Sequence, residues 1–125
     1  MKVVMWIAAG GAAGASTRYF ISVWVNQLLG KGFPWGTLVV NVLGSFLAGF
    51  VFHLSTERLN LPPELRTAIL VGFFGALTTF STFSVETLNL IEGRASLLAV
   101  VNIFANLTLC IVAVWLGGWL ARQIY

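Results

Sequence analysis

Apolar residues along this chain fall into four long runs separated by short polar stretches. The runs cover residues 3–29, 35–55, 66–91 and 97–121, and a helix of about 20 residues is enough to cross a bilayer. Residues 56–65 form the one clearly polar loop, and Pro34 stands where the second helix begins. The pattern predicts an all-α membrane protein, a single domain of four transmembrane helices.

The third run is unusual because its middle is polar. Five hydroxyl residues surround Phe80 and Phe83 within residues 78–84. A hydroxyl costs free energy in hydrocarbon unless it is hydrogen-bonded, so this stretch is expected to face a polar pathway or another helix. The two phenylalanines share nearly one helix face, and the positive edges of aromatic rings attract anions weakly. The alternative is that both rings are ordinary packing residues, which the interleaved hydroxyls make less favoured.

The same run contains residues that weaken a helix. Gly72, Gly75 and the pair Thr78–Thr79 are poor helix formers. We therefore predict that the third helix is broken near its middle, between Gly75 and Thr79. Carbonyl groups freed by such a break commonly bind a cation in transport proteins with broken helices.

Two further helices carry polar stripes. Thr37, Asn41 and Ser45 recur every four residues in the second helix, and Asn102 and Asn106 are four apart in the fourth. Residues at this spacing share a helix face. Each carboxamide needs a partner across a helix interface or contact with a permeating species, and the pattern leaves both possibilities open.

Charged residues within the runs are few. Arg18 follows fifteen uncharged residues, which is about 22 Å of helix. Its side chain either extends to the membrane interface or lines an aqueous vestibule that attracts anions. Glu86 is the one carboxylate that the pattern places at membrane depth, nearer the edge than the middle.

Composition supports a membrane protein and excludes several other classes. The chain is 58% hydrophobic and 9% charged, with a mean hydropathy of +0.93, whereas roughly a quarter of the residues in soluble domains are charged. The net charge is +3, but the basic residues are scattered singly, so no patch suits nucleic acid. Cys110 is the only cysteine, which rules out an intrachain disulfide or a cysteine metal site.

The distribution of basic residues between the two sides of the membrane favours one orientation only weakly. With four spans, four basic residues lie on one side of the membrane and two on the other, whereas cytoplasmic loops normally carry a clear excess. Such a chain could insert both ways. An antiparallel homodimer with its two-fold axis in the membrane plane then becomes natural. The two groups are Lys2, Arg58, Arg66 and Arg122 against Lys31 and Arg94.

Three motifs together resemble a known family. They are Gly-Ala-Leu-Thr-Thr-Phe-Ser-Thr-Phe-Ser at residues 75–84, Asn-Val-Leu-Gly at residues 41–44, and the stretch from Gly10-Gly11 to Arg18. The whole chain is similar in length, span count and order to the small dual-topology fluoride channels, the Fluc or CrcB family. The resemblance implies an antiparallel homodimer with two pores, located in the bacterial inner membrane. Such a dimer lets fluoride leave the cell passively and so reduces fluoride toxicity.

The resemblance also implies roles for particular residues. A structural sodium ion that is not transported would be held at the dimer centre by the backbone carbonyls of Gly75 and Thr78. In this family hydroxyl or aromatic groups usually occupy the pore face of the fourth helix, where this chain has Asn102 and Asn106. The implied ion-pathway residues are Asn41, Phe80, Phe83, Ser81, Thr82, Thr37 and Arg18.

Two other functional classes fit the pattern less well. A proton-coupled exporter of the small multidrug-resistance type needs an ionisable group at the membrane midplane, and the first helix has no carboxylate. A non-conducting helical scaffold would use the polar stripes only to hold helices together. An enzyme is disfavoured because no nucleophile, base and orienting group occur together.

Overall fold

The computed structural model describes residues 1–124, and within that range it contains helices and no strand. The predicted all-α fold is confirmed. The second helix ends at Glu57 rather than at residue 55, and the third begins at Pro63 rather than at residue 66. The elements are α1 (Lys2–Leu29), α2 (Trp35–Glu57), α3 (Pro63–Thr67), a π-helical segment (Ala68–Phe74), α4 (Gly75–Leu77), α5 (Phe80–Glu92) and α6 (Ser96–Gln123).

Three helical stretches among the described residues are long and apolar enough to cross a membrane. They are Trp35–Glu57, Pro63–Glu92 and Ser96–Gln123. The first predicted span forms the 28-residue helix α1, which at 1.5 Å per residue is about 42 Å long but less apolar than α2 or α6.

Helices α2 and α6 pack closely because glycine lines their contact. A Cβ atom added at Gly117 would lie 2.0 Å from the Phe46 carbonyl oxygen, and one added at Gly49 would lie 2.3 Å from the Val114 carbonyl oxygen. Small residues let membrane helices approach backbone to backbone. This packing holds the polar stripe of α2 against α6.

Helix α1 packs in the same way against the π-helical segment. A Cβ atom added at Gly10 would lie 2.2 Å from the Ala68 carbonyl oxygen, and one at Gly14 would lie 2.2 Å from that of Phe73. Gly10 and Gly14 thus let the backbones of α1 and the π-helical segment approach closely. The π-helical turns themselves were not predicted, because residue spacing does not distinguish a π-helix from an α-helix over so few residues.

The predicted break in the third helix occurs, but it is shorter than expected. Thr78 has φ −87° and ψ 155°, and Thr79 has φ −150° and ψ 123°, so both are extended. The prediction is wrong for Gly75–Leu77, which remain helical as α4. Hydrogen bonds to Thr79 from another helix, and not the glycine, determine where the helix stops.

Candidate ion pathway

Asn41 binds the helix break directly. Its side-chain oxygen Oδ1 accepts a hydrogen bond from the Thr79 N–H at 2.8 Å, and its Nδ2 donates to the Thr79 carbonyl at 3.1 Å. One carboxamide therefore satisfies both backbone polar groups of Thr79, as a neighbouring β-strand would. Because Asn41 and Thr79 are both buried, this pair stabilises an extended backbone whose polar groups would otherwise lack helical partners.

The hydroxyl of Thr79 caps the N-terminus of helix α5. Its Oγ1 accepts a hydrogen bond from the Thr82 backbone N–H at 3.2 Å, which is an N-cap. The same hydroxyl donates its proton to Thr82 Oγ1 at 3.2 Å, so the proton of Thr82 itself stays available. Ser81 Oγ lies 3.3 Å from Thr79 Oγ1. Ser81 and Thr82 are both exposed, so the predicted polar contacts lie together at the first turn of α5.

The two phenylalanines of the motif form an edge-to-face pair. The ring centroids of Phe80 and Phe83 are 5.3 Å apart, with an interplanar angle of 62°. Phe83 is 6% exposed and Phe80 is 71% exposed. Both rings line a cavity of about 250 Å³ together with Asn41, Asn106 and other side chains. The fold thus brings the two rings to one place with Asn41 and Ser45 of α2 and Asn106 of α6.

The fourth-helix asparagines join this site through α6. Asn106 Oδ1 accepts a hydrogen bond from Asn41 Nδ2 at 3.0 Å. Asn106 in turn donates to Asn102, and both residues are buried. The predicted stripe of Asn102 and Asn106 therefore faces α2 and α5 rather than lipid.

Thr37 extends the polar line one helical turn beyond Asn41. Its hydroxyl donates to Glu86 Oε1, and Glu86 lines a second cavity of about 310 Å³ that also includes Asn26, Lys31 and other residues. Glu86 was not among the predicted pathway residues. The only sequence signal for it was a carboxylate in an otherwise uncharged run, and its partner lies 49 residues away.

Arg18 lies apart from these groups. It is half-buried on α1 and lines neither of the two cavities. Its two predicted roles, contact with the membrane interface or a place in a vestibule, stay predictions.

The break also changes the surroundings of the Gly75 and Thr78 carbonyls. In an unbroken helix the Thr79 N–H would bond to the Gly75 carbonyl, and the Thr82 N–H to that of Thr78. Here the Thr79 N–H is directed to Asn41 and the Thr82 N–H to the Thr79 hydroxyl. Both carbonyls therefore lack their usual helical donor, which is the condition for binding a cation.

Comparison with known proteins places the chain in a family. The model for CrcB-like protein, Camphor Resistance (CrcB), matches residues 5–118. A protein named fluoride-specific ion channel FluC from Magnetococcus marinus is 50% identical over 121 residues, which cover 97% of this chain and 98% of the relative. The protein of the same name from Citrifermentans bemidjiense is 45% identical over 124 residues, covering 99% and 100%. With both the family model and full-length relatives in agreement, the chain belongs to the CrcB family.

Proposed function

We propose that this protein is a fluoride-specific ion channel that lets fluoride leave the cell passively. The observation that carries the proposal is the cavity where the ring pair of Phe80 and Phe83 meets Asn41. Relatives of nearly the same length are named for this activity, and proteins so named are channels and not enzymes.

Fluoride is small and strongly hydrated, so a selective path has to replace its water with well-placed donors. The exposed hydroxyls of Ser81 and Thr82 and the ring edges of Phe80 and Phe83 can supply them. None of these groups binds as strongly as an ammonium would, which favours release as well as entry. Thr37 continues the path towards the second cavity, and Arg18 attracts anions at a vestibule.

The exposure of Phe80 supports an antiparallel homodimer. A ring that is 71% exposed in one chain leaves the cavity open on one side, and a second copy would cover it. In the proposed assembly α1 also crosses the membrane, which gives each subunit four spans. Residues of both subunits form two pores. The proposed location is the bacterial inner membrane, where the weak bias in loop charge, four basic residues against two, permits both orientations.

The proposed dimer also holds a sodium ion at its centre, bound by backbone carbonyls at the helix break. The Gly75 and Thr78 carbonyls have lost their helical donors, and carbonyl oxygen is a ligand that such hard cations prefer. A fixed positive charge there would offset the cost of bringing an anion into a low-dielectric region. Sodium is thus a structural component that is not transported.

Efflux from liposomes tests the channel proposal. Purified protein is reconstituted into vesicles loaded with potassium fluoride and sodium, valinomycin is added, and fluoride release is followed with an electrode. Parallel vesicles contain chloride. We expect rapid fluoride release, no chloride release, and no dependence on a proton gradient.

Two outcomes would contradict the proposal. Release of neither anion from folded protein in the presence of sodium would overturn the channel function. Release that requires a proton gradient would favour the proton-coupled exporter instead.

Loss of fluoride release when sodium is replaced would support the structural ion.

A further inference from the structure

The buried amides of the site form a hydrogen-bonded line that runs in one direction. The Thr79 N–H donates to Asn41 Oδ1 at 2.8 Å, and Asn41 Nδ2 donates to Asn106 Oδ1 at 3.0 Å. Asn106 Nδ2 then donates to Asn102 Oδ1 at 2.9 Å. Three helical segments are joined by these steps, because Asn41 belongs to α2 and the other two asparagines to α6.

The line continues back to α5, where it began. Asn102 Nδ2 donates to Thr87 Oγ1 at 2.9 Å, and the Thr87 hydroxyl donates to the Phe83 carbonyl at 2.7 Å. Its two ends, Thr79 and Phe83, therefore bracket the first turn of α5. That turn carries Phe80 and the hydroxyls of the pathway. We call the four connecting side chains the relay: Asn41, Asn106, Asn102 and Thr87.

The relay has few donors left for an anion. Asn41 Nδ2 gives its two hydrogens to the Thr79 carbonyl and to Asn106. Asn106 Nδ2 gives its two to the carbonyl and the side chain of Asn102. A carboxamide nitrogen carries only two hydrogens. Neither residue could donate to fluoride without breaking a buried bond.

We propose that Asn106 and Asn102 are positioning residues for conduction, an inference that rests on the proposed function. Through the relay they hold both ends of the first turn of α5. This holds the Phe80 ring at the wall of the first cavity and keeps the Thr82 hydroxyl beside that of Thr79. A satisfied buried network is rigid, and successive hydrogen bonds along the relay polarise one another.

The competing interpretation is that Asn106 contacts the anion from the cavity wall. Asn102 separates the two interpretations. It is 1% exposed and lines neither cavity, so it can influence the ion only through the relay.

The test uses Asn102→Leu, Asn106→Leu and the double variant, since leucine has nearly the shape of asparagine but no polar atoms. Thr108→Val is the matched control, because Thr108 lies exposed on the same helix. Two quantities are measured on the reconstituted full chain: fluoride efflux, and backbone hydrogen exchange of the peptide covering residues 78–84.

Each single leucine variant is expected to slow efflux and to speed exchange at residues 78–84 by about tenfold, the scale of one lost buried hydrogen bond. The double variant should add little to either effect, because the two residues act in series. Thr108→Val should leave both quantities unchanged. The exchange measurement reports how firmly the backbone at the break is held, whether or not an ion passes.

Wild-type exchange and efflux in Asn102→Leu, with slow efflux in Asn106→Leu alone, would overturn the relay and assign Asn106 to direct contact. Thr87→Val repeats the test with a smaller change if the leucine variants do not fold. Absence of fluoride efflux from the wild type would overturn the proposed function, whereas unchanged exchange in both Asn102→Leu and Thr87→Val would overturn the relay itself.

Discussion

At the scale of single residues, Phe80 and Phe83 differ although they belong to one motif. Phe83 is buried within the chain, whereas the Phe80 side chain is largely exposed. Substitution of Phe83 would combine a loss of packing with any loss of function. Phe80 contributes little to packing within one chain, so its substitution isolates the contribution of the ring to conduction.

We expect Phe80→Ile to lower the rate of fluoride efflux by about tenfold or more, which corresponds to about 1.4 kcal/mol. The physical reason is that isoleucine has no positively polarised ring edge to face the anion. Efflux from liposomes measures the rate. Phe104→Ile is the control, because Phe104 is also exposed on a membrane helix but lies outside the first cavity. Equal rates for both variants would show that the Phe80 ring does not act on the ion.

At the scale of helices, backbone contacts determine how the polar stripes meet. Gly49 and Gly117 bring α2 and α6 together so closely that a methyl group at either position would collide with a carbonyl oxygen. The distance between Asn41 on α2 and Asn106 on α6 depends on this packing. Helix contact and hydrogen bonding across the site are therefore linked.

We expect Gly117→Ala to destabilise the fold by about 1–3 kcal/mol, the usual cost of overpacking. A methyl group at Gly117 would have to move α6 away from Phe46, whose carbonyl would otherwise lie 2.0 Å away. The midpoint of thermal unfolding in detergent measures the effect. Gly11→Ala serves as the control, since its nearest atom, the Gly72 carbonyl oxygen, would be 3.9 Å away. Equal midpoints would contradict the packing argument.

At the scale of the whole molecule, the proposed antiparallel homodimer requires both orientations in one membrane. Gly32 and Asn60 lie near opposite ends of α2, and both are exposed. In a Cys110→Ser background, Gly32→Cys and Asn60→Cys each introduce one accessible thiol and change no charged residue. We expect an impermeant thiol reagent to label about half of each variant in spheroplasts, because the weak bias in loop charge allows both insertions.

Full labelling of one variant and none of the other would show a single orientation and contradict the antiparallel dimer. Labelling after permeabilisation is the internal control, since every copy of both variants should then react.

The sequence by itself determined the helical class, the approximate helix bounds and the motif that contains the site. These follow from local properties: apolar run length, residues of low helix propensity, and hydroxyl residues in a membrane segment. Phe80 and Phe83 line one cavity in the structure, and Ser81 and Thr82 lie beside the Thr79 hydroxyl, whereas Thr37 pairs with Glu86.

Only the tertiary structure decided how the break and the polar stripes are satisfied. Asn41 pairs with Thr79 across 38 residues and with Asn106 across 65, and no spacing rule connects positions so far apart. The break is confined to Thr78 and Thr79 because Asn41 binds there, although glycine propensity pointed further upstream. The packing of the helices determines which partner each buried amide bonds to, among the many that the local pattern allows. Each amide needs such a partner because an unsatisfied amide in that environment costs too much free energy.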